Sequence, residues 1–168
     1  MEGLKKYYVQ LEQDCERVNN LYILNPDSIN NPGIYNLLTS KYHEATEKGI
    51  DVNIYFLLDL NDLHMKIYEF ARILGILLDN AIEASIKEEE SKRYINVRAK
   101  VIKSFLTISV ENNTVEGEEI DFVSRKDDQE NHGFGMKNIK NVINKYGGEM
   151  TFETNNSCIS IFVMLNKV

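Results

Sequence analysis

LLDNAIEAS, Leu77 to Ser85, sets a carboxylate and an amide, Asp79 and Asn80, inside a run of apolar side chains. The residues before it continue the run. Ile67, Phe70, Ala71, Ile73, Leu74, Leu77, Leu78, Ala81 and Ile82 recur at three- and four-residue steps and cover more than half of a helix's circumference. The spacing therefore predicts a largely buried helix over about Lys66 to Glu89. Polar side chains rarely sit idle in such a place, so Asp79, Asn80 and Glu83 become the first candidates for a working site.

Working outward, Val52 to Leu58 reads as a strand, and Ile34 to about Lys48 reads as a helix with Ile34, Leu37, Leu38, Tyr42 and Ala45 inward and Gly49 as its stop. Asn25 to Gly33 holds two prolines among Asn, Asp and Gly, which predicts a hinge. Before it, Leu4, Tyr7, Tyr8, Leu11, Cys15, Val18 and Leu21 form an apolar stripe, so one long amphipathic helix is expected over Leu4 to Leu24. On the other side, Tyr94 to Ile102 and Phe105 to Val110 suggest an antiparallel hairpin turning at Lys103-Ser104. Glu111 to Gly133 is polar and without period, which suits a functional lid or a disordered stretch. A helix from about Met136 to Tyr146, stopped by Gly147-Gly148, and strands at Glu149 to Thr154 and Cys158 to Leu165 complete the pattern. The expectation is a two-layer α/β sandwich, a mixed, mostly antiparallel sheet under three helices, with one domain over residues 34–168.

The totals narrow the function classes. A chain of 168 residues, 43% hydrophobic and 27% charged, can bury one substantial core. Its 26 acidic against 19 basic residues, net −7, repel polyanions and argue against nucleic acid as a partner. Cys15 and Cys158 lie far apart with no CxxC around either, so both are expected as free thiols in a reducing compartment. Runs such as Ile73 to Leu78 fall short of the ~20 apolar residues of a membrane span, and a cytoplasmic, soluble chain is expected.

Two further features carry chemistry. Asn80 and Glu83 are three apart and share a helical face, so an oxygen from that face together with phosphates would suit Mg2+. A solvated rim for Asp79 and Glu83, with a buried hydrogen bond for Asn80, fits the same residues. Gly133-Phe134-Gly135 stands immediately before a helix, where backbone N–H groups can meet an anion, or where the glycines simply make a tight loop. His132 beside it would then touch phosphate or stay solvated.

"LLDNAIEAS" resembles the N box of histidine kinases, and "NHGFGMKNIKNVINKYGG", Asn131 to Gly148, resembles their second glycine box with its helix. The chain is thus similar to the GHKL (Bergerat-fold) ATP-binding domain of sensor histidine kinases. "NNPGIYNLLTSKYHEATEKGI", Asn30 to Ile50, is similar to the segment before the N box in the accessory-gene-regulator type, the peptide-pheromone quorum-sensing receptors. The resemblance implies ATP and Mg2+ as ligands, with Asn80 on the metal and Glu83 beside it. It implies phosphate access at Gly133 and Gly135, flanked by His132 and Phe134, and an adenine reader at Asn112. There "SVENNTVEG" has Asn where an Asp is usual and Thr114 where a glycine is usual; Ile76 likewise replaces a polar residue one turn before Asn80. Arg125 and Lys126 are candidate phosphate clamps, or part of a solvated charge run.

None of His43, His64 and His132 is followed by Asp, so the resemblance implies a phosphoacceptor histidine outside this sequence, on the same or a partner protomer. It further implies that Leu4 to Leu24 is one arm of a dimerisation hairpin, a homodimeric membrane-anchored receptor, and a response regulator as the final acceptor. A GHKL-fold interaction module that has lost nucleotide binding, or a GHKL ATPase, are the alternative readings.

Overall fold

The structure, a computed structural model, describes residues 29–115, 132–155 and 157–166. The expected helix over Leu4 to Leu24, and most of the polar segment with Arg125 and Lys126, lie outside them. The first described helix, α1 (Pro32–Glu47), starts two residues earlier than expected. Asn31 caps it, its side-chain oxygen accepting from the N–H groups of Gly33 at 3.0 Å and Ile34 at 3.1 Å. Pro32 stands at the first helical position, where its missing N–H costs nothing, so Asn-Pro-Gly acts as a helix start and not only as a turn. Gly49, at φ 70°, ends α1 in the left-handed region, and the Ile50 N–H reaches back to Ala45 O at 3.1 Å.

β1 (Asp51–Leu57) leads through a 3-10 turn at Leu60–Asp62 into α2 (Ile67–Ser85). Phe70, Ile73, Leu74, Leu77, Leu78, Ala81, Ile82 and Ser85 form the buried stripe of α2, and five of these side chains are fully enclosed. The helix stops at Ser85, four residues before the expected end. Arg93 accounts for the stop: its guanidinium donates to the carbonyls of Ile86 at 3.2 Å and Glu88 at 2.9 Å, and also to Lys48 just past α1 at 2.7 Å. One side chain thus satisfies carbonyls left open at the ends of two helices.

β2 (Tyr94–Ile102) and β3 (Phe105–Asn113) form the expected hairpin, with β3 three residues longer than its apolar run. α3 (His132–Lys145), β4 (Glu149–Asn155) and β5 (Cys158–Asn166) follow. The sheet order is β1-β2-β3-β5-β4, with β1 and β2 parallel and every other pair antiparallel. Alternation decides which face is covered: Val52, Ile54 and Phe56, Ile95, Val97 and Ala99, Ile108 and Val110, and Ile159, Ile161 and Val163 are buried beneath the helices. Gly148 lets the chain pass from α3 into β4, since a Cβ there would stand 2.5 Å from Met164 O. The two-layer expectation holds: among the described residues a five-stranded mixed sheet carries three helices on one face. Among the described residues no helix is long and apolar enough to cross a membrane.

Candidate functional site

The polar candidates gather where β3 ends and α3 begins. On β3, Leu106, Ile108, Val110 and Asn112 share the helix-facing side, so Asn112 takes the last place of an apolar row, flanked by Ile95 on β2 and Ile159 on β5. Its side chain is buried, and its Nδ2 donates to Asn113 O at 2.8 Å. That bond uses one of the amide's two N–H donors and leaves the other, with Oδ1, to offer a ligand.

Asn113 is held differently. Its Oδ1 accepts from the Tyr94 N–H at 2.9 Å and from the Ser85 hydroxyl at 3.1 Å, while its buried Nδ2 has no partner. A flipped amide would set two donors, Nδ2 and the Tyr94 N–H, against each other, so the orientation follows from the backbone. A buried unpaired donor costs about 1–3 kcal/mol and marks a place where an acceptor would be gained. Thr114, also buried, donates its N–H to Ser157 O at 2.9 Å, which fixes the chain leaving β3. Burial, and then the Cys158 thiol, raise the Tyr94 phenol well above its usual range, so Tyr94 stays neutral at this edge. Cys158 is a free thiol, as expected.

Ser85 also ties α2 to this corner, and Asn80, five residues earlier, stands about 7.5 Å along the same axis. Its Nδ2 meets the Met136 sulfur at 2.8 Å, which joins it to the first turns of α3. Asp79 turns the other way: its carboxylate pairs with Lys41 of α1 at 2.5 Å, and Lys41 also pairs with Glu44 at 2.7 Å. Burial works against the Lys41 charge, but the hydrogen bonds it donates to Asp79 and Glu44 outweigh it and raise its pKa. Asp79 is therefore an inter-helix tether, and Asn80 alone of the two faces α3. Glu83 is exposed on the next turn of α2.

α3 begins at His132, four residues before the expected start, so Gly133, Phe134 and Gly135 lie within its first turn and not in a loop ahead of it. The first four N–H groups of an α-helix have no partner inside the helix, so these residues remain at its anion-attracting end. Gly135 has a packing reason as well, because a Cβ there would stand 3.3 Å from Ile76 Cγ2. Ile76 thus fills with an apolar contact the place where a polar side chain was expected to be missed. Among the described residues no three His, Cys, Asp or Glu side chains cluster as metal ligands. The donor set that does exist, one amide oxygen beside a helix start, suits an ion held chiefly by phosphate and water.

The GHKL domain family matches residues 65–166. The chain belongs to the GHKL domain family. The sensor histidine kinase DpiB of Escherichia coli (strain K12) is 29% identical over 143 residues, covering 75% of this chain and 25% of DpiB, so the chain spans about a quarter of that protein's length. The catalytic domain of histidine kinase ThkA superposes with a TM-score of 0.65 at 17% identity, covering 83% of this chain and 93% of that domain. Full-length ShkA in complex with AMPPNP gives a TM-score of 0.59 at 13% identity, covering 79% of this chain and 29% of ShkA. The fold is that of histidine kinase catalytic domains.

Sequence reasoning missed Ser85, Asn113 and Arg93. The first two look like a helix-end hydroxyl and a loop amide until the strand register brings them together. Arg93 sits in KEEESKR, which reads as a solvated charge run.

Proposed function

We propose that the chain is the ATP-binding catalytic domain of a sensor histidine kinase, which holds Mg-ATP and donates its γ-phosphate to a histidine outside this chain. The observation that carries the proposal is the meeting, at one corner of the domain, of Asn80, the start of α3 and the buried amides Asn112 and Asn113. Asn112 Oδ1 would accept from the adenine amino group. Asn80 would offer an oxygen to Mg2+, with Glu83 one turn away. Gly133 and Gly135 would present N–H groups to the phosphates beside His132 and Phe134, and Arg125 and Lys126 would clamp them. Mg2+, when bound, neutralises phosphate charge.

The name of DpiB, a sensor histidine kinase, and the AMPPNP bound to ShkA support this assignment. The apolar Ile76 favours a kinase over an ATPase, because no base stands one turn before Asn80 to activate water, whereas phosphoryl transfer rests mainly on positioning and charge. The Asn30 to Ile50 motif supports a place among the peptide-pheromone quorum-sensing receptors, with a homodimer, a membrane anchor and a response regulator as wider partners. A GHKL-fold module without nucleotide binding is the second reading, and the sealed Ile76–Gly135 contact is what favours it. Titration with ATP, with and without Mg2+, separates the two: saturable Mg-dependent binding supports the kinase domain, and no binding supports the module. Steady phosphate release without an acceptor histidine would instead indicate an ATPase.

A further inference from the structure

A sheet with one face under helices ordinarily turns polar side chains to the water on its other face. In this sheet the other face carries apolar side chains on four of its strands. Tyr55 and Leu57 on β1, Ile102 and Phe105 across the β2–β3 hairpin, and Phe162 and Met164 on β5 alternate with the core residues and so stand on it. Five of them are half-buried, and Leu57 keeps 52% of its surface. Among the described residues no helix lies over this face. An apolar patch of this kind on a folded domain marks an interaction surface.

Charge divides the same face. Arg98 and Lys100 stand on β2, while Glu149 and Glu153 stand on the edge strand β4, with β3 and β5 between them. Lys100, Thr107, Met164 and Glu149 form one row across these four strands, and Arg98, Ser109, Phe162 and Thr151 form the next. Opposite charges on either side of an apolar centre make a self-complementary surface, which is what a two-fold contact between identical chains requires. An axis lying across the strands would set Arg98 and Lys100 against their own copies. An axis along the strands, between β3 and β5, instead sets β2 over β4 and β3 over β5 of the second copy. Lys100 then meets Glu149 of the second copy at two equivalent places, and Phe162 and Met164 lie over the smaller Ser109 and Thr107.

We propose that two copies of the chain pair through this face, sheet on sheet, about a two-fold axis parallel to β3 and β5. Packed sheets sit about 10 Å apart and turned by about 30°, which keeps Lys100 and Glu149 of the second copy within reach of each other. Four strands ~4.8 Å apart, each contributing seven residues of ~3.3 Å, present about 450 Å2 of sheet on each copy, so the pair buries on the order of 1,000 Å2, near the lower bound of a specific interface. Such a dimer is reversible. Asn112 faces the helix side and Asn80 lies on α2, so pairing leaves the polar corner open and does not rest on nucleotide binding.

Sedimentation equilibrium of the full 168-residue chain tests it. The chain should pass from monomer to dimer as its concentration rises. Lys100→Glu and Glu149→Lys should each raise the dissociation constant about tenfold or more by setting like charges together, and the double variant, which restores opposite charges, should return it to within about threefold of the parent. Rescue distinguishes an interface from a damaged fold, because within one chain the two side chains stand on strands that do not pair. A chain that stays monomeric up to ~1 mM overturns the proposal and points to cover by the chain's own segments. A dimer indifferent to either reversal, or not restored in the double variant, also overturns it and puts the interface elsewhere.

Discussion

Three asparagines at one corner do three different jobs, and their neighbours decide which. Asn113 is held by Ser85 and Tyr94, Asn112 spends one of its two donors on Asn113 O, and Asn80 leans on Met136. Asn80→Ala is therefore expected to weaken Mg-ATP binding by about tenfold or more, ~1.4 kcal/mol, with a melting temperature close to that of the parent. Unchanged affinity would remove Asn80 from the metal. A second residue-scale expectation concerns pH. The Lys145 ammonium, and then the Tyr146 hydroxyl, hydrogen-bond Glu69 and hold its carboxyl below the usual 4.5. A lowered folded pKa gives stability that is present above the unfolded value and lost as pH falls through the folded one. Glu69→Gln should flatten the fall in melting temperature below about pH 4.5, and an equally steep fall would show that the contact contributes nothing. The oddity of Asn80 in an apolar run was legible without coordinates. The Asn113 cluster was not, because it depends on how far β3 extends past its apolar run, and only pairing with β5 up to Asn113↔Cys158 reveals that.

Helices and strands were largely readable, because a stripe at three- and four-residue steps or a period of two follows directly from which face is buried. α2 is the clearest case, and Leu77→Ala or Ile82→Ala should cost about 2–5 kcal/mol, measured by denaturant unfolding. A loss near zero would contradict its burial. The ends of elements escaped for local reasons: Asn31 with Pro32 starts a helix where a turn was expected, and Arg93 stops α2 short of its charged continuation. Arg93→Ala should destabilise by about 1.5–3 kcal/mol, the range for hydrogen bonds to a charged group. Arg93→Lys should recover little of it, since three carbonyls in different directions need the guanidinium fork. Full recovery by lysine would show that charge alone caps these helices.

At the scale of the whole molecule, the sheet separates a polar end from an apolar one. The polar end carries Asn80, Asn112 and the start of α3, while the other receives the chain at Asn30. His43 on α1 and His64 between β1 and α2 are both exposed, and neither touches Asn80, Asn112 or Asn113 by any hydrogen bond among the described residues. In-line transfer needs an acceptor within about 3–3.5 Å, and the chain alone is expected to bind ATP without phosphorylating itself. An acid-labile phosphate lost in His132→Ala would refute that. The family of the domain was legible from its motifs, but which polar groups meet could be read only after the register of β2, β3 and β5 was known. The central claim, a Mg-ATP site built on Asn80 and Asn112, is tested most directly by calorimetric titration of the chain with ATP. The account predicts saturable binding that weakens about tenfold or more when Mg2+ is withheld or Asn80→Ala is introduced, and that is lost in Asn112→Leu. No binding by the parent chain, or binding indifferent to all three changes, would contradict it.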